Sequence, residues 1–232
     1  MERGWIEAAM SGRGWLAGCD PGFRRSLLDR ARPAVFSPDQ TVFHAGDLAG
    51  GIYGIALGGF AVSVFGAGAL PAAATILRSG NWFGDGPLTA DRCRKLSFRA
   101  TEASVALHLP LAAIRALRAD NPEGERHFAE LARINLDLAV RVVGDLLIPR
   151  TDCRIAATLL RLTRADQGER PADPAGFRLG QAELGEMANA SRRSVVRALA
   201  AFESRGWVTL GRQRIAISDA QGLARFAHGQ AD

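Results

Sequence analysis

The apolar period of this chain changes at Leu111, and that change limits the fold more than any single motif. Between Ala34 and Leu109 the hydrophobic residues fall into short runs with a period near two. The runs are Thr41-Val42-Phe43, Ile52-Tyr53-Gly54-Ile55, Phe60-Ala61-Val62-Ser63-Val64, Ala74-Thr75-Ile76-Leu77 and Val105-Ala106-Leu107-His108-Leu109. Turn-forming clusters separate them: Ser37-Pro38-Asp39, Gly46-Asp47, Gly50-Gly51, Gly58-Gly59 and Ser79-Gly80-Asn81. Many short strands at fairly even spacing predict a small antiparallel barrel or roll. A helix over 22–31 leads into it, started by Asp20-Pro21-Gly22, with Phe23, Leu27 and Leu28 on one face. After Leu111 the spacing is helical. Such a chain is an α+β fold, and 232 residues suffice for two small domains with a core each.

Pro122 stands at a first-turn position, and the spacing predicts one long helix from there to about Ile148, where Pro149 stops it. Phe128, Leu131, Leu138 and Val142 form one apolar set, interrupted by Asn135; Ile134, Val140, Val143, Leu146 and Leu147 form a second. A helix apolar on two sides needs its own domain and a second subunit to pack against, with Asn135 and Asp137 as register-setting polar positions. Another helix begins at Thr151, with Ile155, Leu159, Leu160 and Leu162 apolar, and the Asp, Gly and Pro-rich segment Ala165 to Gly176 reads as an exposed loop. The expected divisions are a roll with its helical lead-in over 1–121, a long dimerisation helix over 122–149, and a third region over 150–232.

Within that third region, QAELGEMANASRRSVVRALAAFESRGWVTL reads as a short helix, a tight turn at Asn189-Ala190-Ser191, and a longer helix. Ser191 is expected to cap the second helix through its hydroxyl. Arg192, Arg193 and Arg197, with Ser194 among them, then fall in its first two turns, where guanidinium groups suit the major groove of DNA. From Ser191 to Arg214 there are six Arg and one acid, Glu203, a local charge of +5 that equals the net charge of the whole chain. The basic surplus is therefore concentrated in one place, as a binding surface requires. Trp207 to Leu210 and Arg214 to Ile217 read as a two-stranded hairpin, and Arg212 and Arg214 on it are expected to grip the phosphate backbone. A short helix from Asp219 follows. Two copies would read a near-palindromic double-stranded site with half-sites ~34 Å apart.

This order of elements resembles the Crp/Fnr family of bacterial transcription regulators over nearly the whole chain. The resemblance is strongest in Arg154-Ile155-Ala156-Ala157-Thr158-Leu159-Leu160, Gln181-Ala182-Glu183-Leu184 and Ser191-Arg192-Arg193-Ser194-Val195-Val196-Arg197. It implies a cyclic-nucleotide-binding-like roll, a winged helix-turn-helix, a homodimer, and RNA polymerase as a further partner. The family's recognition helix usually reads Ser-Arg-Glu-Thr-Val-x-Arg. Arg192 and Arg197 match that pattern, whereas Arg193 replaces the Glu and Ser194 the Thr. A carboxylate accepts a hydrogen bond from cytosine and an arginine cannot, so a different half-site preference is expected.

His44-Ala45-Gly46-Asp47 and Leu57-Gly58-Gly59-Phe60-Ala61-Val62 are similar to the family's roll turns, and Asn81-Trp82-Phe83-Gly84-Asp85, followed by Arg94, resembles its phosphate-binding cassette. The resemblance implies a ligand site at Gly84, Asp85, Arg94 and Lys95, the arginine neutralising a cyclic phosphate and the acid taking a ribose hydroxyl. Counting back without gaps from Arg154 puts Ala139 and Val140 where cAMP-responsive members carry a Thr-Ser pair that meets the base. That apolar pair offers no such hydrogen bonds. Asp85 is shorter than the usual Glu, Lys95 replaces a small residue, and the interval from Asp85 to Arg94 is a residue shorter. Ordinary cAMP activation is therefore not expected; an anionic or otherwise different ligand, or none, stays open.

Other sensing chemistries find little support. Cys19, Cys93 and Cys153 are scattered and odd in number, which fits neither a disulfide framework nor the four thiolates of an iron–sulfur cluster. Cys93, beside Arg94, is the one candidate for redox chemistry. His44, His108, His127 and His228 could ligate haem but read as surface or strand histidines. No catalytic residue and no metal ligand is assigned. The competing readings are a metalloenzyme built on the roll, which would need converging ligands beyond the isolated His44 and His108, and a DNA-binding dimer whose roll is a ligand-free interaction platform. No apolar run approaches ~20 residues, and the N-terminus lacks the continuous apolar core of a signal peptide. A cytoplasmic protein without a membrane partner is expected.

Overall fold

The computed structural model describes residues 3–65, 71–86, 93–120, 122–165 and 176–230. The chain divides into two compact units, the first comprising Met1–Pro71 and Ile76–Ala139, the second Ala72–Thr75 and Val140–Asp232.

Two four-stranded sheets form the roll, and all their residues belong to the first unit except Ala72–Thr75 at the start of one edge strand. One has the order β1 (Arg32–Phe36), β8 (Ser104–Pro110), β3 (Gly51–Leu57), β6 (Trp82–Phe83); the other has β2 (Thr41–Phe43), β7 (Ser97–Ala100), β4 (Gly59–Val64), β5 (Ala72–Arg78). Strands β1, β6 and β7 were not expected. β1 opens on Arg32-Pro33, which reads as a breaker, yet its place at the sheet edge tolerates a proline. The two remaining strands are only two and four residues long, below the length at which alternation is recognisable.

Strand β3 shows why its run is apolar almost throughout. Tyr53 and Ile55 face an inner cluster with Phe36, Phe43, Phe60, Phe83 and Phe98, while Ile52 and Ala56 face an outer one. That outer cluster is built from α1 (Arg3–Ser11), a 3-10 turn (Trp15–Gly18), α2 (Pro21–Arg30), α3 (Leu111–Asp120) and the start of α4 (Pro122–Leu146), through Ile6, Leu16, Phe23, Leu27, Leu117 and Phe128. A strand buried on both faces loses its alternation of polar and apolar residues. Helix α2 begins as expected: Asp20 Oδ1 accepts from the backbone N–H groups of Gly22 and Phe23 at 2.8 and 3.1 Å.

Helix α4 buries Phe128 and Leu131, and leaves Leu136, Val140, Val143 and Leu147, just past its end, 62, 62, 56 and 75% exposed. These positions are four, three and four residues apart, so they form one stripe. The helix ends at Leu146, two residues earlier than expected. Leu147 and Ile148 continue with single turns, their N–H groups donating to Val143 and Asp145.

The second unit carries α5 (Thr151–Thr163), α6 (Gln181–Met187), α7 (Arg192–Ser204), α8 (Ala220–Ala227) and a three-stranded antiparallel sheet in the order β10 (Val208–Gly211), β11 (Arg214–Ile217), β9 (Phe177–Arg178). The expected two-stranded hairpin thus gains a third strand, which pairs Phe177 with Ile215. The loop expected over 165–176 falls largely outside the described residues. Phe202, Trp207 and Phe226 pack as a ring triad with centroids 5.4–6.0 Å apart. Among the described residues no helix is long and apolar enough to cross a membrane.

Candidate nucleic-acid interface and ligand cavity

In the second unit, the turn between α6 and α7 is held from three sides. Asn189 adopts φ +44°, and the Ala190 N–H donates to the Gly185 carbonyl at 2.8 Å. A Cβ on Gly185 would stand 2.9 Å from the Ala190 oxygen, so the close approach requires glycine. Beneath it the Arg154 guanidinium donates through Nε to Ala188 O at 2.6 Å, through Nη2 to Asn189 O at 3.1 Å and through Nη1 to Ile148 O at 2.7 Å. These carbonyls at the ends of helices have no intrahelical donor, and one arginine supplies all three. Sequence reasoning used Arg154 only as a motif marker; its stapling role depends on carbonyls 34 and 35 residues away.

Helix α7 starts on Ser191, whose Oγ accepts from the Ser194 N–H at 3.1 Å and lies 2.9 Å from Ser194 Oγ. Ser194 therefore completes the cap. Val195, Ala198, Leu199 and Phe202 are buried and lock one face of α7 in place. The opposite face presents Arg192, Arg193 and Arg197, all exposed, and among the described residues none of the three side chains makes a hydrogen bond or ion pair. Val196, 46% exposed, shares that face by helical spacing. It is an apolar group where a thymine methyl could be read, a role that composition alone did not suggest. In the adjoining sheet Arg212 is exposed in the β10–β11 turn, beside Gln213 at φ +55°. Arg214 is half-buried and donates to the Gly176 carbonyl at 2.8 Å, so it braces the wing as well as adding charge. A cavity of about 480 Å³ opens here, lined by Arg192, Gln181, Gln213 and Arg214 with Leu199 and Leu210 beneath.

The first unit holds a second basic site of the opposite kind. Arg94 is 4% exposed, and its Nη2 donates to Gly51 O at 2.8 Å and its Nη1 to Gly84 O at 3.2 Å. Its guanidinium carbon lies 3.6 Å from the centroid of the Phe43 ring. Among the described residues no carboxylate lies within ion-pair distance of it. Burial lowers its pKa from the ordinary value, and the neighbouring Tyr53 and Asp47 offset part of that. The backbone holds Arg94 in register with the turn seen in the sequence: its N–H donates to Asp47 O at 2.8 Å, and its carbonyl accepts from Gly46 at 2.9 Å. Gly84 adopts φ +91°, and a Cβ there would come 2.8 Å from Arg94 Nη1. The glycine is what lets the guanidinium reach this backbone.

Beside Arg94 lies a cavity of about 250 Å³ lined by Phe43, Phe83, Phe98, Asp85, Lys95 and Asn135, among others. Asp85 does not turn to the arginine. Its Oδ1 accepts from Asn135 Nδ2 at 2.7 Å, and the same amide nitrogen donates to Trp82 O at 3.1 Å. Burial raises the Asp85 pKa, partly offset by hydrogen bonds from its own backbone and from Asn135. Gly84, Asp85, Arg94 and Lys95 are thus brought together as expected from their order. Ala139 and Val140 are exposed and do not line the cavity; Asn135, one helical turn earlier, takes the place on α4 assigned to them.

The remaining candidates are dispersed. His44 and His228 are exposed, His127 lies 4.4 Å from the Phe23 ring, and His108 stacks on Tyr53 at 4.6 Å. Cys19 and Cys153 are buried, burial raising the first thiol to about 12 and raising the second as well; Cys93 is exposed.

A roll with a buried arginine at its cavity and a helix-turn-helix with a basic outer face together describe a transcription regulator with a DNA-binding domain. Residues 33–121 match the model of the cyclic nucleotide-binding domain, and residues 153–226 match that of the Crp-like helix-turn-helix domain. The chain is 26% identical over 223 residues to a CRP-like cAMP-activated global transcriptional regulator of Mycobacterium tuberculosis, covering 96% of this chain and all of the relative. It is 29% identical over 220 residues to the HTH-type transcriptional regulator Cmr of the same organism, covering 94% of this chain and 85% of the relative. Its fold is similar to that of FixK2 from Bradyrhizobium japonicum, with a TM-score of 0.69 at 16% identity over 87% of this chain and 98% of the other. The chain belongs to the Crp/Fnr family of transcription regulators.

Proposed function

We propose that the protein acts in the cytoplasm as a homodimeric, sequence-specific regulator, with residues 1–121 as sensor, 122–149 as dimerisation helix and 150–232 as DNA reader. The observation that carries this reading is the outer face of α7, where Arg192, Arg193 and Arg197 are exposed on a helix capped by Ser191 and fixed from below. Three guanidinium groups that have no partner among the described residues, on a rigid helix, suit the base edges and phosphates of a major groove. Arg212 and Arg214 extend the basic surface to the wing. The second copy covers the stripe formed by Leu136, Val140, Val143 and Leu147. RNA polymerase is the further partner expected from the family. The mycobacterial relative is named for activation by cAMP. Here Asp85 is engaged by Asn135, which supports a sensor not tuned to cAMP in the usual way.

In vitro selection of bound DNA, followed by sedimentation of the protein with and without its best site, tests the reading. The expected result is a near-palindrome with half-sites ~34 Å apart, bound by two copies. A monomer on an asymmetric site, or no enriched sequence, would overturn it.

A further inference from the structure

The interior of the roll is built from stacked rings. His108, Tyr53, Phe83 and Phe98 form one column, with successive centroids 4.6, 5.4 and 4.3 Å apart and planes within 20° of parallel. Phe43 leans on this column, 5.0 Å from Phe98 and 6.0 Å from Phe83. The cavity ends on three of these rings, Phe43, Phe83 and Phe98. Among the described residues its charged groups are Arg94, Lys95 and Asp85, and they are not equivalent. Arg94 is buried and, among the described residues, has only backbone carbonyls as hydrogen-bond partners, and Lys95 is exposed at the edge. Asp85 already has its donor in Asn135.

A buried guanidinium without an acid is costly, and a ligand carboxylate would relieve that cost through a charge-assisted pair. Aromatic walls favour a flat ring, held offset or edge-on to Phe83 and Phe98. The group that would take a sugar hydroxyl already accepts one hydrogen bond, at Oδ1, and is turned towards α4 by it. At about 250 Å³ the cavity also falls below the ~300–1,000 Å³ typical of sites that enclose drug-sized ligands.

We propose that this cavity binds a small aromatic acid, a single aryl ring carrying one carboxylate, in preference to a cyclic nucleotide. The carboxylate pairs with Arg94 and Lys95, and the ring lies against the phenylalanines. This rests on the reading of the roll as a ligand sensor and names the class of ligand.

Isothermal titration of the full chain with phenylacetate, cyclohexylacetate, inorganic phosphate and cAMP separates the outcomes. Phenylacetate is expected to bind at least about tenfold more tightly than inorganic phosphate or cAMP, and about 2- to 12-fold more tightly than cyclohexylacetate, which keeps the carboxylate and loses only the aromatic contact. Arg94→Gln should reduce its affinity at least about tenfold, and Lys95→Gln, at an exposed position that does not threaten folding, by a smaller factor. Equal binding of cyclohexylacetate would overturn the aromatic preference, and tighter binding of phosphate or cAMP would overturn the ligand class while leaving the roll a sensor. Phenylacetate binding indifferent to both substitutions would place the ligand elsewhere. Failure of all four compounds to bind would overturn this proposal and, with it, the reading of the roll as a ligand sensor.

Discussion

Two arginine sites, one in each unit, solve the problem of presenting a cation in opposite ways. On α7 the guanidinium groups of Arg192, Arg193 and Arg197 stand in solvent, and the helix beneath them is what is fixed. In the roll, Arg94 is itself fixed, inside the protein, by two carbonyls and the face of Phe43. An exposed cation is well hydrated and highly screened, so it acts through number and placement along a charged polymer. A buried one is poorly hydrated, so a single guanidinium can select for charge and shape. The difference fits the two proposed roles, an interface that spans many phosphates and a cavity that takes one small molecule.

The sharpest way to break this contrast is Arg197→Ala. If α7 reads bases, affinity for the selected operator should fall about 5–150-fold, corresponding to ~1–3 kcal/mol, with relaxed preference at one base pair and unchanged binding to the roll. Fluorescence anisotropy with the selected site and with single-base variants measures both. Unchanged affinity and preference would remove Arg197 from the interface.

Next in size is Gly84→Ala. The positive φ and the 2.8 Å approach to Arg94 Nη1 predict a loss of ~1–3 kcal/mol from the roll. A lower Tm for the roll with an intact DNA-binding domain is the expected calorimetric result. A Tm equal to that of the wild type would mean that Arg94 is not held in the way described.

The smallest effect sharpens the buried side of the comparison. The Asp85 pKa is raised in the folded protein, so the folded state takes up a proton more readily than the unfolded chain there. The stability this contributes is fully present below the ordinary aspartate range and is lost as pH rises through the raised folded value. Asp85→Asn removes the titration. The Tm of wild type relative to the variant should therefore climb as pH falls from about 7 towards 4. Thermal melts across that range measure it, and a flat or opposite trend contradicts the burial of this carboxylate.

Much of the architecture is legible along the chain because each residue's burial repeats with the period of its own element. The switch to helical spacing at Leu111, the helix starts at Asp20 and Ser191, and the arginines in the first two turns of α7 are all local patterns, and the structure carries them. The third strand of the wing was not legible: Phe177-Arg178 is two residues long and becomes a strand only by pairing with β11. Asn135 was legible as a polar interruption in an apolar helix, but its purpose was not. Its partners Trp82 and Asp85 lie 53 and 50 residues away, and no spacing rule connects them.

The amino-acid sequence by itself therefore determined where charge is surplus, where the period changes from strand to helix and where the capped helices α2 and α7 begin, since these are properties of neighbours in the chain. Only the tertiary structure decided that Arg94 meets carbonyls and a ring instead of an acid, that Asp85 is claimed by α4, and that Ala139 and Val140 stay outside the cavity. Those outcomes depend on which distant groups share one low-dielectric space, and contact across a fold is set by packing geometry that local periodicity does not encode.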